Sequence, residues 1–309
     1  MSQQKKHAEG REDAKPAAPA GNSGPAGDAV AVGTLYVVAT PIGNLDDLTL
    51  RARQVLAAVD VIAAEDTRHT RTLLAHHGIQ PARLIALHAH NEAQSSPKLV
   101  AMLESGRAIA MVSDAGTPCI SDPGARLVAA ARAAGHAVVP VPGANAAIAA
   151  LSASGVEGPF LFQGFLPAKA GERRHALQAL AALPCTLVFH EAPHRVVDAV
   201  ADLVSGLPGA RRLVIARELT KKFESIHSCA LADGPAWLAA DPDRRRGEFV
   251  LIVSGAVADH AALARDAENT LALLLAALPL TQAVKLAAAI TGAPRNLLYA
   301  RALEREGRE

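Results

Sequence analysis

This chain of 309 residues has few cysteines, few aromatic residues, and no apolar run both long and charge-free enough to cross a bilayer. Each shortage removes a class of explanation. Its three cysteines, Cys119, Cys185 and Cys229, are an odd number at wide spacing, which indicates neither a disulfide framework nor a metal site, and a reducing cytoplasm is the compartment expected. Aromatic residues make up 3% of the chain, which argues against rows of stacking rings that capture single-stranded nucleic acid. Residues 1–32 are rich in Ala, Gly, Pro and charge, but lack the apolar centre of a signal peptide and the Arg/Ser character of a presequence. They are expected to form a disordered tail ahead of a soluble protein. A net charge of +1 gives no overall field, and the local basic pairs (Arg173 with Arg174, Lys221 with Lys222) and the run 244–246 are of the kind that usually forms solvated faces.

What is present is an alternation of short apolar runs with helical stretches, the pattern of an α/β protein. Strands are expected over 35–39, 61–64, 84–87, 108–112 and 137–141, in a parallel sheet covering residues 33–152. Ser96 and Pro97 read as the opening of a helix closed by Gly106, and Gly78 with Pro81 as the end of another. The small and turn-forming residues of SASGVEGP break the pattern, and a second α/β domain is expected over 153–256. Its strands fall at 160–165, 186–190, 213–216 and 249–253, with 223–230 as an edge strand of a mixed sheet and helices over 176–182 and 196–204. Residues 257–309 turn Ala/Leu-rich with helical spacing and form a small helical appendix. Its LPLTQAVKLAAAITGAP segment resembles a helix-turn-helix only weakly, and a packing role is favoured.

The stretch 111–124, MVSDAGTPCISDPG, turns a buried strand abruptly into a polar, glycine-rich loop. Ligands of open α/β sheets collect beyond the carboxyl ends of such strands. Asp114 offers a carboxylate, while Gly116 and Gly124 permit positive φ or close backbone approach. Asp122 and Pro123 read as the N-cap and first residue of a helix that Gly135 stops. Four other strand ends carry unusual loops on the same edge: TPIGNLDDLT at 40–49, AEDTRHT at 64–70, HAHNE at 88–92 and VPGANAA at 141–147.

With FHEAPHR at 189–195, RELTKKFE at 217–224 and RGEFVLIV at 246–253, these loops closely resemble the tetrapyrrole methylase superfamily, and within it the ribosomal RNA small-subunit methyltransferase I branch. The resemblance spans residues 33–255 and implies two α/β domains with a cofactor cleft between them. It also implies an S-adenosylmethionine-dependent enzyme, working as a homodimer, that methylates the ribose 2′-hydroxyl of a cytidine in 16S rRNA. Carried over residue by residue, it places Pro41, Gly43, Ser113, Asp114, Ala115, Gly116, Ile120, Ser121, Pro142, Gly143 and Ala144 on the cofactor side.

Methyl transfer to a ribose hydroxyl asks for positioning and for removal of a proton. Candidates for the base are His90 and Glu92 of HAHNE, Glu65 and Asp66 of AEDTR, and Glu224 with Lys222; the sequence does not choose among them. Arg68, Arg71, Arg195, Lys221 and Lys222 are candidates for RNA contact, since a guanidinium can grip phosphate oxygens in pairs. For the arginines, internal ion pairs with Glu65, Asp66 or Glu191 compete with that role. The shared fold leaves room for corrin methylation, and the basic clusters for a non-catalytic RNA-binding factor. The AEDTR and HAHNE loops favour RNA, with the assembled small subunit as its form.

Overall fold

The structure, a computed structural model, describes residues 30–256 and 260–306. The tail expected over 1–32 lies outside the described residues up to position 29. Residues 30–32 belong to the fold: Val30 packs against the first core, and the Ala31 amide donates to the Tyr36 hydroxyl at 2.9 Å.

The first sheet is built from β1 (Leu35–Val38), β2 (Val61–Ala64), β3 (Leu84–Ala86), β4 (Ile109–Val112) and β5 (Val138–Val141), in the order β3-β2-β4-β1-β5. All its pairings are parallel. β2 and β4 are buried throughout, as strands must be when helices cover both faces of a sheet. Helices α1 (Leu50–Ala58) and α2 (Thr67–His76) close one core, and α3 (Glu92–Glu104) and α4 (Ala125–Ala133) close the other. The strand order reverses between β4 and β1, so a crevice opens beyond their carboxyl ends.

Two helix starts differ from expectation. α3 begins at Glu92, with Pro97 inside it; the missing amide falls in the second turn, where the Ser96 hydroxyl bonds Glu92 O at 2.7 Å. α4 begins at Ala125 rather than at Pro123. Gly124, at φ 124°, occupies the N-cap and has no side chain with which to cap. The Glu92 carboxylate does so instead, with Oε1 accepting from the amides of Gly124 and Arg126, both at 2.9 Å.

α5 (Ala146–Ser154) ends at Gly155 in a left-handed turn, so the boundary expected between residues 152 and 153 falls inside its last turn. Its small residues Ala147 and Ala150 lie on the second sheet, against Val188, Val214, Ala216, Val250 and Ile252. That sheet comprises β6 (Phe160–Phe165), β7 (Thr186–Glu191), β8 (Arg212–Arg217), β9 (Ser225–Ala230) and β10 (Phe249–Val253), in the order β6-β7-β10-β8-β9. It is mixed, with β9 at the expected edge. α6 (Ala170–Leu180), α7 (Val196–Gly206) and α8 (Gly234–Ala239) cover its other face. α6 starts earlier than its apolar pattern suggests, because Arg173 is buried and bound to Asp202 of α7 at 2.6 Å.

α9 (His260–Leu275), α10 (Leu280–Thr291) and α11 (Arg295–Glu306) bury Ala267, Leu271, Val284, Ala287, Leu298 and Ala302 in a core of their own. The expected helical appendix is present. α10 turns into α11 through Gly292 at φ 71°, a helix-turn-helix with its own apolar centre.

Candidate functional site

The loops after β1 and β4 are tied together at the crevice. The Thr40 amide donates to Gly116 O at 2.9 Å, and the Gly116 amide returns a bond to Thr40 O at 3.0 Å. The Thr40 hydroxyl also reaches Ser113 O at 3.2 Å. Gly116 sits at φ 80°, open to glycine without strain, and Ser113 is sealed beneath the loop. Beyond this bridge a cleft of about 360 Å³ separates the two sheets. One wall is formed by Glu65, Asn145 and residues 114–117 and 120–122, and the other by Phe165, His190, Glu191, Leu219 and Glu248.

Five acidic residues, Glu65, Asp114, Asp122, Glu191 and Glu248, line this cleft, with the Glu191 side chain itself buried against Arg195. Burial raises the Glu65 pKa above its ordinary value; the Asp114 amide, donating to Oε2 at 3.3 Å, opposes the shift, and the charges of Asp122 and Asp114 add to it. Asp122 is raised by burial too, against a hydrogen bond from the Ser113 hydroxyl. Asp114 Oδ1 accepts from the Asp66 amide at 2.9 Å, which ties the AEDTR turn to the loop. Glu191 is buried and raised for that reason, while Arg195 Nε stands 3.1 Å from its Oε1. Burial lowers His190, keeping its imidazole neutral. Carboxylates facing a backbone loop open to close approach suit a ligand with positive charge and a planar ring, and so fit the sulfonium and adenine of S-adenosylmethionine.

Of the residues expected on the cofactor side, Asp114, Ala115, Gly116, Ile120 and Ser121 line the cleft. The others sit around its loops. A Cβ on Gly43 would lie 2.5 Å from Lys221 Cγ, and one on Gly143 would lie 2.9 Å from Ala39 Cβ, so both glycines permit loop-to-loop contact. Pro41 is buried, Pro142 is exposed, and Ala144 O accepts from the Thr117 hydroxyl at 3.0 Å.

Of the candidate bases, Glu65 alone lines the cleft. Glu92 is buried and caps α4. Asp66 caps α2 and is held well below the usual carboxylate range by its hydrogen bond from Arg68. His90 is exposed beside His88, and Glu224 accepts from the Thr220 amide.

The basic residues divide. Arg71 and Lys222 are exposed, the latter 5.5 Å over the Phe223 ring, and Arg68 is exposed but paired with Asp66 at 2.7 Å. Arg195 is turned inward to Glu191 and Leu166 O, and Lys221 is held by Glu218 and Glu248, both at 2.9 Å. The sequence reading missed Phe165, His190 and Glu191 as cleft residues. The polar pair ending an otherwise apolar β7 was the available signal.

Over residues 34–234 the chain matches the Tetrapyrrole (Corrin/Porphyrin) Methylases, and over 261–306 the RsmI C-terminal HTH domain. It is 55% identical over 276 residues to a protein of Escherichia coli O157:H7 named Ribosomal RNA small subunit methyltransferase I, an alignment covering 89% of this chain and 96% of that one. A protein of the same name from Pseudomonas aeruginosa is 51% identical over 282 residues, covering 90% and 100%. Among solved structures, uroporphyrin-III-C-methyltransferase from Thermus thermophilus superposes with a TM-score of 0.52 at 23% identity, over 72% of this chain and 94% of that one. The methyltransferase CobJ gives 0.55 at 20% identity, over 72% and 95%. The two superpositions establish the fold, and identity to the curated relatives across nearly their whole length establishes the family. The chain belongs to the ribosomal RNA small subunit methyltransferase I family, within the tetrapyrrole methylases.

Proposed function

We propose that the protein uses S-adenosylmethionine to methylate the ribose 2′-hydroxyl of one cytidine in 16S rRNA, acting in the cytoplasm as a homodimer on the assembled small subunit. What carries this reading is the 55% identity to a small-subunit rRNA methyltransferase over 96% of its length, together with a carboxylate-lined cleft where the fold opens. The cofactor, when bound, supplies an electrophilic methyl group on a sulfonium. Asp114, with backbone from Ala115 to Thr117, holds and orients it, and the apolar Leu219, Phe249 and Val250 keep water from the second wall.

Glu65 is the base. Its carboxylate takes the proton from the 2′-oxygen as that oxygen becomes the nucleophile, and burial tunes its pKa upward toward the operating pH. Arg71 and Lys222, exposed and without a carboxylate partner among the described residues, are the phosphate contacts of this scheme. The test is to incubate small subunits from a strain lacking the gene with the enzyme and methyl-labelled cofactor, then digest the RNA and identify the labelled nucleoside by mass spectrometry. Label in 2′-O-methylcytidine is expected; label on a base, or none, overturns the reading.

A further inference from the structure

β6 carries an irregularity next to the cleft. Its parallel pairing with β7 runs Phe162↔Val188 and then jumps to Gly164↔Phe189 and Phe165↔His190, so Gln163 has no partner. Side chains three apart on a regular strand point to opposite faces; here the extra residue resets the alternation, and Phe162 and Phe165 both meet the His190 ring. The ring centroids lie 4.9 Å and 5.5 Å from that of His190, at interplanar angles of 66° and 74°. Phe162 is anchored in the core beneath. Phe165 is not: it lines the cleft while 54% exposed, a large apolar surface left to solvent at a site. His190 Nε2 is buried there with no hydrogen-bond partner among the described residues. Gly164, at φ 72°, places the bulge close to Ser121 across the cleft, where a Cβ would meet Ser121 Oγ at 3.5 Å. Bulges of this kind are common beside active sites because they re-aim a side chain.

We propose that Phe165, held edge-on by His190, is the platform on which the acceptor nucleobase stacks, so that the second-sheet wall of the cleft binds RNA while the first-sheet loops bind the cofactor. This rests on the methylation reading above. One ring suffices for one extruded base, so low overall aromatic content does not count against it. The ring supplies a flat apolar face, the acidic groups around it disfavour a phosphate, and a base is the neutral part of a nucleotide.

The test compares Phe165→Ala and Phe165→Trp with wild type in two measurements: cofactor affinity by calorimetry, and initial methylation rate against small-subunit concentration. Phe165→Ala is expected to keep cofactor affinity within about twofold and to lose roughly tenfold in kcat/KM for the subunit, the loss of one base–aromatic stack, with Phe165→Trp restoring most of it. A parallel loss of cofactor affinity, or unchanged kcat/KM in Phe165→Ala, overturns the platform while leaving the methylation reading intact. No label from wild-type enzyme overturns both. Because the side chain is half out of the fold, thermal melting of both variants is expected to match wild type.

Discussion

The two walls of the cleft are made differently. The first-sheet wall is set by backbone turns that carry the Glu65, Asp114 and Asp122 carboxylates: the loops after β1 and β4 are cross-bridged through Thr40 and Gly116, and the Asp66 amide is held by Asp114. The second is made of strand ends: Phe165 follows the bulge of β6, its neighbour His190 comes from β7, and Glu191 and Phe249 close the ends of β7 and β10 beneath them. A wall of backbone needs residues that allow tight turns, so it marks itself in the sequence with Gly, Pro, Ser and Asp. A wall of strand residues uses ordinary strand composition. Its function is created by register, as where the shifted β6–β7 pairing sets Phe165 beside His190.

The largest effect that could break this contrast is expected from Asp114→Ala and Gly116→Val. Asp114 supplies charge to the cleft and holds the AEDTR turn, and Gly116 sits at φ 80°, where a β-branched residue is strained. Asp114→Ala is expected to weaken S-adenosylmethionine binding by roughly a hundredfold, the range for truncating one partner of a charged hydrogen bond, and Gly116→Val to weaken it by displacing the loop. Calorimetric titration decides, and unchanged affinity in both variants removes the loop from the site.

Next comes Glu65→Gln, expected to lower kcat by about 10²–10⁴-fold, the usual contribution of a general base, with cofactor affinity retained. Stability should move the other way. Because the folded pKa of Glu65 lies above its ordinary 4.5, its contribution to stability is full below that value and is lost as pH rises through the raised folded pKa. At neutral pH the ionised group therefore opposes folding. Glu65→Gln is expected to melt at or above wild type at pH 7, with the difference shrinking toward pH 4.5. A full-rate variant would move the proton transfer elsewhere.

The same division explains what the sequence disclosed. The strands of both sheets, the edge strand β9 and the loop 111–124 were legible because apolar periodicity and turn residues are local signals. The start of α4 was not, since Asp122-Pro123 offers a good local cap while the acceptor used is Glu92, distant in sequence. For Arg195 the sequence leaves the ion pair with Glu191 as one of two open readings, and Leu166 O, distant in sequence, is the second acceptor that holds it inward. Low aromatic content argues against rows of stacking rings, and says nothing of where a single ring such as Phe165 stands. In the appendix, Ala/Leu spacing disclosed helices with an apolar side, and that side meets the two sister helices.

The smallest effect sharpens the boundary between wall and support. Glu92 belongs to HAHNE, beside the cleft, yet its Oε1 receives the two amides that open α4, and its charge faces the positive end of that helix. Glu92→Ala removes the cap and is expected to cost about 1–2 kcal/mol, a fall of a few degrees in melting temperature. Glu92→Gln keeps one acceptor oxygen and loses the charge, so roughly half that cost is expected. Its kcat should stay within about twofold of wild type, since α4 remains in place. That pairing separates a cap from a base: a cap is rescued by any acceptor of the same shape, whereas a base needs a carboxylate that can take a proton. If Glu92→Gln melts normally but loses activity as Glu65→Gln does, the proton leaves through HAHNE and not through AEDTR.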